Sequence, residues 1–348
     1  MLSRKQQSRS LPHWRSGSLG SRVPSGFYVL AGGTITPVLS GAAVASITFV
    51  GGTPSVNTDV SNGTGYMVVV PNADTPSVAQ IKAGQQSSGA AAIDSESVAV
   101  SSGTITFAAT NGCALNTDYD VWIVQTSAAS IDSLAVKADF PTGGYDATQN
   151  AGATGVTSLV FTLAAAASNV SGVAVGVSWS STANTLGTLT YGATSILANL
   201  HVSQDFAGVA TSRIYKTTST PDQGSQSVRA VFSGAVSVVI GAISVVGGNI
   251  AAPFTSDSTV KATATSTTPS VSCATSATEL VMDNVCYAVA GGAPTVGASQ
   301  TQRWAASGVS IIRGAGSTQL GSVENPGVMS WTIVSAAWGA VAASFGSA

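Results

Sequence analysis

Charge is the scarcest ingredient of this 348-residue chain. Only 8% of its residues are Asp, Glu, Lys or Arg, against about a quarter in an ordinary globular protein. Histidine is nearly absent too, with two residues, and cysteine numbers three. A hydrolase triad needs a histidine. His13 sits among basic residues near the start, and His201 has Asp205 four residues on, a helical spacing; we read His201 as structural. Cys113, Cys273 and Cys286 form no CxxC pair and no metal-ligand cluster, which argues against zinc. They read as small buried hydrophobes, and spacing leaves open whether Cys273 and Cys286 are bridged. No GxxxxGK[ST] or strand-linked GxGxxG occurs. The chain is therefore expected to hold no cofactor or metal.

Long hydrophobic runs are also missing. The uncharged stretch between Asp146 and Asp205 is broken by Gly, Asn, Ser and Thr. It never reaches the roughly 20 consecutive apolar residues of a spanning helix. Aromatics make up 6% of the chain, too few for the girdles of a transmembrane barrel. The basic start runs into Ser10-Leu11-Pro12-His13-Trp14-Arg15, which lacks the apolar segment of a secretory leader. We expect no membrane span. Two carboxylate pairs, Asp94/Glu96 and Asp118/Asp120, are spaced to share one strand face; they read as solvated, with calcium binding the alternative. A glycosidase would need two carboxylates across a cleft, and nothing in the sequence arranges them. We expect no enzyme.

What charge there is falls unevenly. The first 58 residues contain no acid but five bases: Arg4, Lys5, Arg9, Arg15 and Arg22. The remainder carries eight bases against fifteen acids, a formal charge of −7. Residues 1–24 read as a basic extended arm, with Arg4, Lys5, Arg9, Trp14, Arg15 and Arg22 as its anchoring residues. A solvated tail and docking onto an acidic protein surface both fit such an arm. Arg15 beside Trp14 is a slender basis for nucleic-acid readout, which needs a basic stripe with stacking aromatics.

Beyond the arm, β-branched residues and period-two alternation mark strands throughout, for example at 65–70, 119–126, 170–179, 236–246, 279–288 and 328–334. Helix is expected only at 77–82 and 195–202, and 164–167 reads as a loop. Gly247-Gly248, Gly291-Gly292 and Gly314-Ala315-Gly316 read as turns. Trp331 alternates with Ser330 and Thr332, one face in and one out, while Trp338 and Phe345 are expected to cap the core. The pattern predicts an all-β protein of two tandem sandwiches, residues 25–142 and 143–348. Sheet edges are usually blunted with charge. A chain this poor in charge is expected to cover them by homo-oligomerisation, with a trimer favoured.

Within residues 75–127 the sequence resembles a known module. Its residues are Thr75-Pro76-Ser77-Val78-Ala79-Gln80-Ile81-Lys82-Ala83-Gly84-Gln85, then Asn111-Gly112-Cys113, then Thr117-Asp118-Tyr119-Asp120-Val121-Trp122. They resemble the fibronectin type III-like module of tail and fibre proteins of tailed bacteriophages. Cys113 stands where that pattern has Leu, and the resemblance makes Tyr119 the corner tyrosine whose hydroxyl bonds the backbone at a strand turn. Residues 143–348 resemble a jelly-roll-like sandwich of phage structural proteins, through Thr190-Tyr191-Gly192, Val231-Phe232-Ser233-Gly234, Glu279-Leu280-Val281-Met282-Asp283 and Met329-Ser330-Trp331-Thr332-Ile333. These resemblances imply a virion structural protein, assembled in the host cytoplasm and exposed on the particle. It would be a fibre held to other virion proteins by its arm and touching host-surface glycan. Capsid or neck decoration is the alternative, followed by a cellular surface adhesin.

Overall fold

The computed structural model describes residues 35–115, 117–167, 170–206, 208, 210–247, 260–275, 279–288, 292–306, 311–320 and 327–346. Twenty-two strands and one short helix occupy them, as the all-β reading requires. Among the described residues no helix is long and apolar enough to cross a membrane.

The chain first builds a seven-stranded sandwich. Its elements are β1 (Leu39–Ala45), β2 (Thr53–Thr58), β3 (Thr64–Pro71), α1 (Val78–Lys82), β4 (Asp94–Ala99), β5 (Thr104–Thr106), β6 (Asp118–Thr126) and β7 (Val136–Pro141). One sheet runs β1-β2-β5, the other β4-β3-β6-β7, all antiparallel. Alternating residues of both sheets meet in a core of Val56, Met67, Ile105, Phe107, Val121, Ile123 and Phe140. Cys113 is buried in the same core, so its thiol occupies an apolar site. Tyr119 Oη accepts a hydrogen bond from the backbone N–H of Ala114 at 2.9 Å, which ties the chain leading into β6 to the start of that strand. The helix expected at 77–82 is present, opened by a capping box in which Ser77 and Gln80 serve each other's backbone N–H.

The second half follows one path twice. The next strands are β8 (Gly144–Ala164), β9 (Val170–Trp179), β10 (Leu186–Tyr191), β11 (Thr194–Ser195), β12 (Leu200–Phe206), β13 (Ala210–Lys216) and β14 (Ser225–Val246). β8 and β14 are long enough to belong to two sheets each. Their residues 144–156 and 236–246 pair beside β9, β13 and β12; residues 158–164 and 225–231 pair beside β10. The last strands are β15 (Lys261–Ser266), β16 (Ser270–Cys273), β17 (Leu280–Tyr287), β18 (Thr295–Val296), β19 (Thr301–Ala306), β20 (Arg313–Leu320), β21 (Gly327–Thr332) and β22 (Ala336–Phe345). They form the sheets β15-β22-β17-β20-β19 and β16-β21-β18. Counting each half of β8 and of β14 as a strand and leaving aside the two-residue β11, both sets read 1-8-3-6-5 in one sheet and 2-7-4 in the other. This is the Greek-key wiring of a jelly roll. The sequence led us to expect one such sandwich over 143–348, but two cores fill it. One is built on Val175, Val177, Trp179, Leu189, Tyr191 and Ile240, the other on Val285, Tyr287, Met329, Trp331 and Trp338.

The two five-stranded sheets lie face to face. Residues that point away from each core meet here: Ala174, Ile214, Ile243 and Val245 from one sheet, Leu280, Met282, Val341 and Phe345 from the other. This explains why β9 and β17 are buried along their whole length, since each is covered on both sides. The contact is self-complementary, with β12 against β15 and β22, and β19 against β8 and β14. Trp304 of β19 is its wedge. A Cβ on Gly176, Gly241 or Gly316 would run into the indole, so three glycines form its slot. Among the described residues nothing accepts the Trp304 indole N–H; shape alone seats it. Phe49, from the loop after β1, is fully buried in the same layer. Gly143 and Gly247, on either side of the β8–β14 pair, lie side by side.

Several expectations need correcting. Residues 195–202 are not helical: β11 ends at Ser195 and β12 starts at Leu200. Gly314-Ala315-Gly316 is no turn but lies inside β20, where Gly316 makes room for Trp304. Phe345 packs between the two sandwiches rather than capping one, whereas Trp338 does belong to the last core. All three cysteines are buried, and no disulfide joins them. Cys273 faces the last core and Cys286 the contact between sandwiches, so no bridge joins them.

Candidate functional site

The residues expected to anchor the chain, Arg4, Lys5, Arg9, Trp14, Arg15 and Arg22, lie outside the described residues. The sites that can be built from geometry are surface clefts. One of these sits at one end of the sandwich made by β8–β14, between the β10–β11 hairpin and the chain joining β13 to β14. It encloses about 170 Å³ and is lined by Tyr191, Thr194, Ser195, Asn199, residues 217–220 and Asp222. Thr194, Ser195, Thr218, Ser219, Thr220 and Asp222 are exposed, while Tyr191 and Ile196 are buried beneath them.

Local hydrogen bonds fix this shape. Tyr191 Oη donates to the Asp222 carbonyl at 3.0 Å. The N–H of Val173 donates to Thr217 Oγ1 at 3.1 Å, and the N–H of Thr217 to the Val173 carbonyl at 3.0 Å. Asn199 carbonyl accepts from the N–H of Lys216 at 3.1 Å, closing the wall. Burial, with Asp222 and Asp146 adding to it, pushes the Tyr191 phenol up to about 12, so it remains a neutral donor. The cleft thus offers hydroxyls, one amide and a single carboxylate on a pre-formed frame. That set can hydrogen-bond a polyhydroxylated ligand. It lacks the paired carboxylates of glycoside hydrolysis.

The candidate acid pairs serve structure. Asp94 Oδ2 accepts from the N–H of Asn111 at 2.9 Å, and Glu96 Oε2 from that of Ala108 at 2.7 Å. Both carboxylates therefore pin the chain between β5 and β6. Asp120 is buried and accepts from the N–H of Ala73 at 3.0 Å. Lys137 Nζ lies 3.1 Å from Asp120 and 2.7 Å from Asp139; its hydrogen bond, then its charge, holds the Asp139 carboxyl below the usual range. Asp118 lines a separate cleft of about 350 Å³ with Asn72, Tyr119 and Asp139. Among the described residues no three His, Cys, Asp or Glu side chains converge to hold a metal ion. His201 is buried on β12, and a strand sets it roughly 13 Å from Asp205, which accepts instead from Thr211 Oγ1 at 2.8 Å. Burial pushes the Cys286 thiol up to about 12 and the Cys113 thiol, with Asp94 assisting, to about 11; neither is a thiolate near neutrality.

The sequence singled out Thr190-Tyr191-Gly192 only for the jelly-roll resemblance, and neither wall of the cleft was expected as a site. The signal was there in Thr217-Thr218-Ser219-Thr220-Pro221-Asp222, a hydroxyl run closed by a turn-forming pair.

No family model matches the chain, and no curated protein matches it. Among solved structures it is similar to chitinase ChiA74 from Bacillus thuringiensis, at 14% identity and a TM-score of 0.19. The match covers 60% of this chain and 29% of that one. A likeness this slight carries no argument about activity.

Proposed function

We propose that this chain is a non-enzymatic structural component of a phage virion, a fibre that projects from the particle and touches the host surface. The observation that carries the reading is the first sandwich. The span whose residues resemble the phage fibronectin type III-like module supplies β4, β5 and β6 of a seven-stranded sandwich with the sheets β1-β2-β5 and β4-β3-β6-β7. It also ties Tyr119 to the Ala114 backbone, the contact expected of that module's corner tyrosine. The basic residues 1–24 attach the chain to other virion proteins, and the sandwiches face outward. The hydroxyl-lined cleft beside Asp222 suits a glycan, and many copies on one particle make up in avidity what one shallow cleft lacks in affinity.

Deleting residues 1–23 tests attachment. The truncated chain is expected to fold with unchanged circular dichroism yet be missing from purified particles. Normal incorporation would overturn the anchoring role. Copy number on intact particles separates the two virion readings: a few sets at tail or collar mean a fibre, whereas hundreds over the shell mean capsid decoration.

A further inference from the structure

The sandwiches present their sheet edges very differently. Among the edge strands of six residues or more, β4, β7, β12, β15 and β19 each carry at least one charged side chain, and β1 is broken by a register shift between Ser40 and Ala43. The edge strands β5, β11, β16 and β18 are four residues or shorter, and β11 covers Thr190 and Tyr191 of the uncharged β10, leaving only four of its residues as an open edge. These are the ordinary defences against unwanted strand pairing.

Strand β8 has few of them. It runs 21 residues along the edge of both sheets of its sandwich, and its sole charged residue is Asp146, near its start. The bulge at Thr154–Gly155, where Gly155 takes a φ of +69°, divides it. Beyond the bulge, residues 156–164 read Val-Thr-Ser-Leu-Val-Phe-Thr-Leu-Ala: no charge, no proline, and rich in β-branched and aromatic residues. Among the described residues, the only backbone partner of this segment is β14. About half of its N–H and C=O groups therefore point outward with nothing to bond, and Val160 is 52% exposed beside them. The matching strand of the last sandwich, β16, is cut to four residues.

We propose that residues 156–164 pair with the same residues of a second copy of this chain, antiparallel and edge to edge, joining two sheets into one. The occupant follows from the chemistry. An uncharged edge gives a charged partner nothing to complement, but it is self-complementary in its backbone and carries no side chain that repels its own copy. Such a contact is isologous and closes as a dimer, in place of the trimer favoured from sequence. The proposal deepens the homo-oligomer expectation and is independent of where the chain sits on a particle. A pairing centred on Val160, the midpoint of the segment, sets Ser158 opposite Thr162 of the second copy, twice over. Both residues are exposed, and within the chain they face Val231 and Ser227.

The test is sedimentation of the purified full-length chain over a concentration series. Wild type is expected to show a monomer–dimer equilibrium. Ser158→Lys/Thr162→Lys sets lysine against lysine and is expected to weaken association about tenfold, with circular dichroism and thermal unfolding unchanged. Ser158→Glu/Thr162→Lys sets opposite charges together and is expected to restore it. A wild type that stays monomeric overturns the proposal. So does a double-lysine variant that dimerises normally, or one whose loss the charge-paired variant does not recover. Because the measurement needs no particle, its failure is distinct from failure of the virion reading, which rests on the arm deletion.

Discussion

The sandwich made by β8–β14 and the one made by β15–β22 share their wiring but differ in how each turns its corners. In the first, β8 and β14 pass from sheet to sheet unbroken, bending at Thr154–Gly155 and at residues 232–235, where the register shifts. In the second the corresponding strands are cut. Residues 267–269 separate β15 from β16, ending in Pro269, which has no N–H for a ladder. Residues 333–335 separate β21 from β22. The lesson is that topology survives the choice of corner, whereas the edge does not. A bend keeps a long strand open to neighbours, and a break shortens it to harmlessness.

The contact between the two sandwiches offers the sharpest way to break the comparison. Trp304→Ala removes the wedge and leaves a cavity facing Gly176, Gly241 and Gly316, so a loss of about 3–5 kcal/mol is expected in denaturant unfolding. If the sandwiches are held together mainly by this contact, the single transition should also split in two.

A second test exploits a group that one core has and the other lacks. Asp283 of β17 is fully buried; it accepts from Trp331 Nε1 at 2.6 Å and from the N–H and hydroxyl of Ser317 at 2.7 and 2.8 Å. Burial outweighs these bonds and pushes its carboxyl up to about 7. Strand β9, its counterpart, has no titratable side chain. Because the folded state holds this proton more tightly than the unfolded chain, the stability it contributes is complete below about pH 4 and is lost as pH rises through 7. Unfolding of the last sandwich should therefore weaken by a few kcal/mol between pH 4 and 8, and Asp283→Asn should flatten that slope. A wild-type slope equal to the variant's would show that Asp283 is not the group responsible.

The smallest effect is expected at Asn284. Its Nδ2 donates to Ser178 Oγ, Ser212 Oγ and the Arg213 carbonyl at 3.2, 2.9 and 3.3 Å, across the contact between sandwiches. Asn284→Ala strands these partners in a buried layer and should cost about 1–3 kcal/mol in denaturant unfolding. A neutral result would mean that water reaches the layer and replaces the amide.

Much of this was legible beforehand, and the failures have physical causes. Alternation revealed β3, β6 and β21, because each has one buried and one more open face. The valine-rich runs of β9 and β14 also read as strands. The segment Ile196-Leu197-Ala198-Asn199-Leu200 mimics a helix because its apolar residues fall at helical spacing, yet it links β11 to β12 and lends Ile196 and Asn199 to the lining of the cleft. Gly314 and Gly316 looked like turn residues because the side chains that crowd them, Val239 and Trp304, come from other strands. The doubling of the jelly-roll path was hidden for a similar reason. The halves share little beyond Thr190-Tyr191-Gly192-Ala193 and Thr295-Val296-Gly297-Ala298, and it is pairing partners, not residues, that repeat. The cleft needed two segments some twenty residues apart, and only the fold puts them together.

The adjacency of Gly143 and Gly247 gives the molecule a direction of mechanical weakness. Both ends of the β8–β14 sandwich leave from one point, so tension along the chain pulls first on the Gly144–Val246 pair and then parts the two strands one step at a time. A load applied lengthwise would instead meet seventeen register pairs together. Under a stretching force this strand pair is placed to unzip from its Gly144–Val246 end rather than to shear.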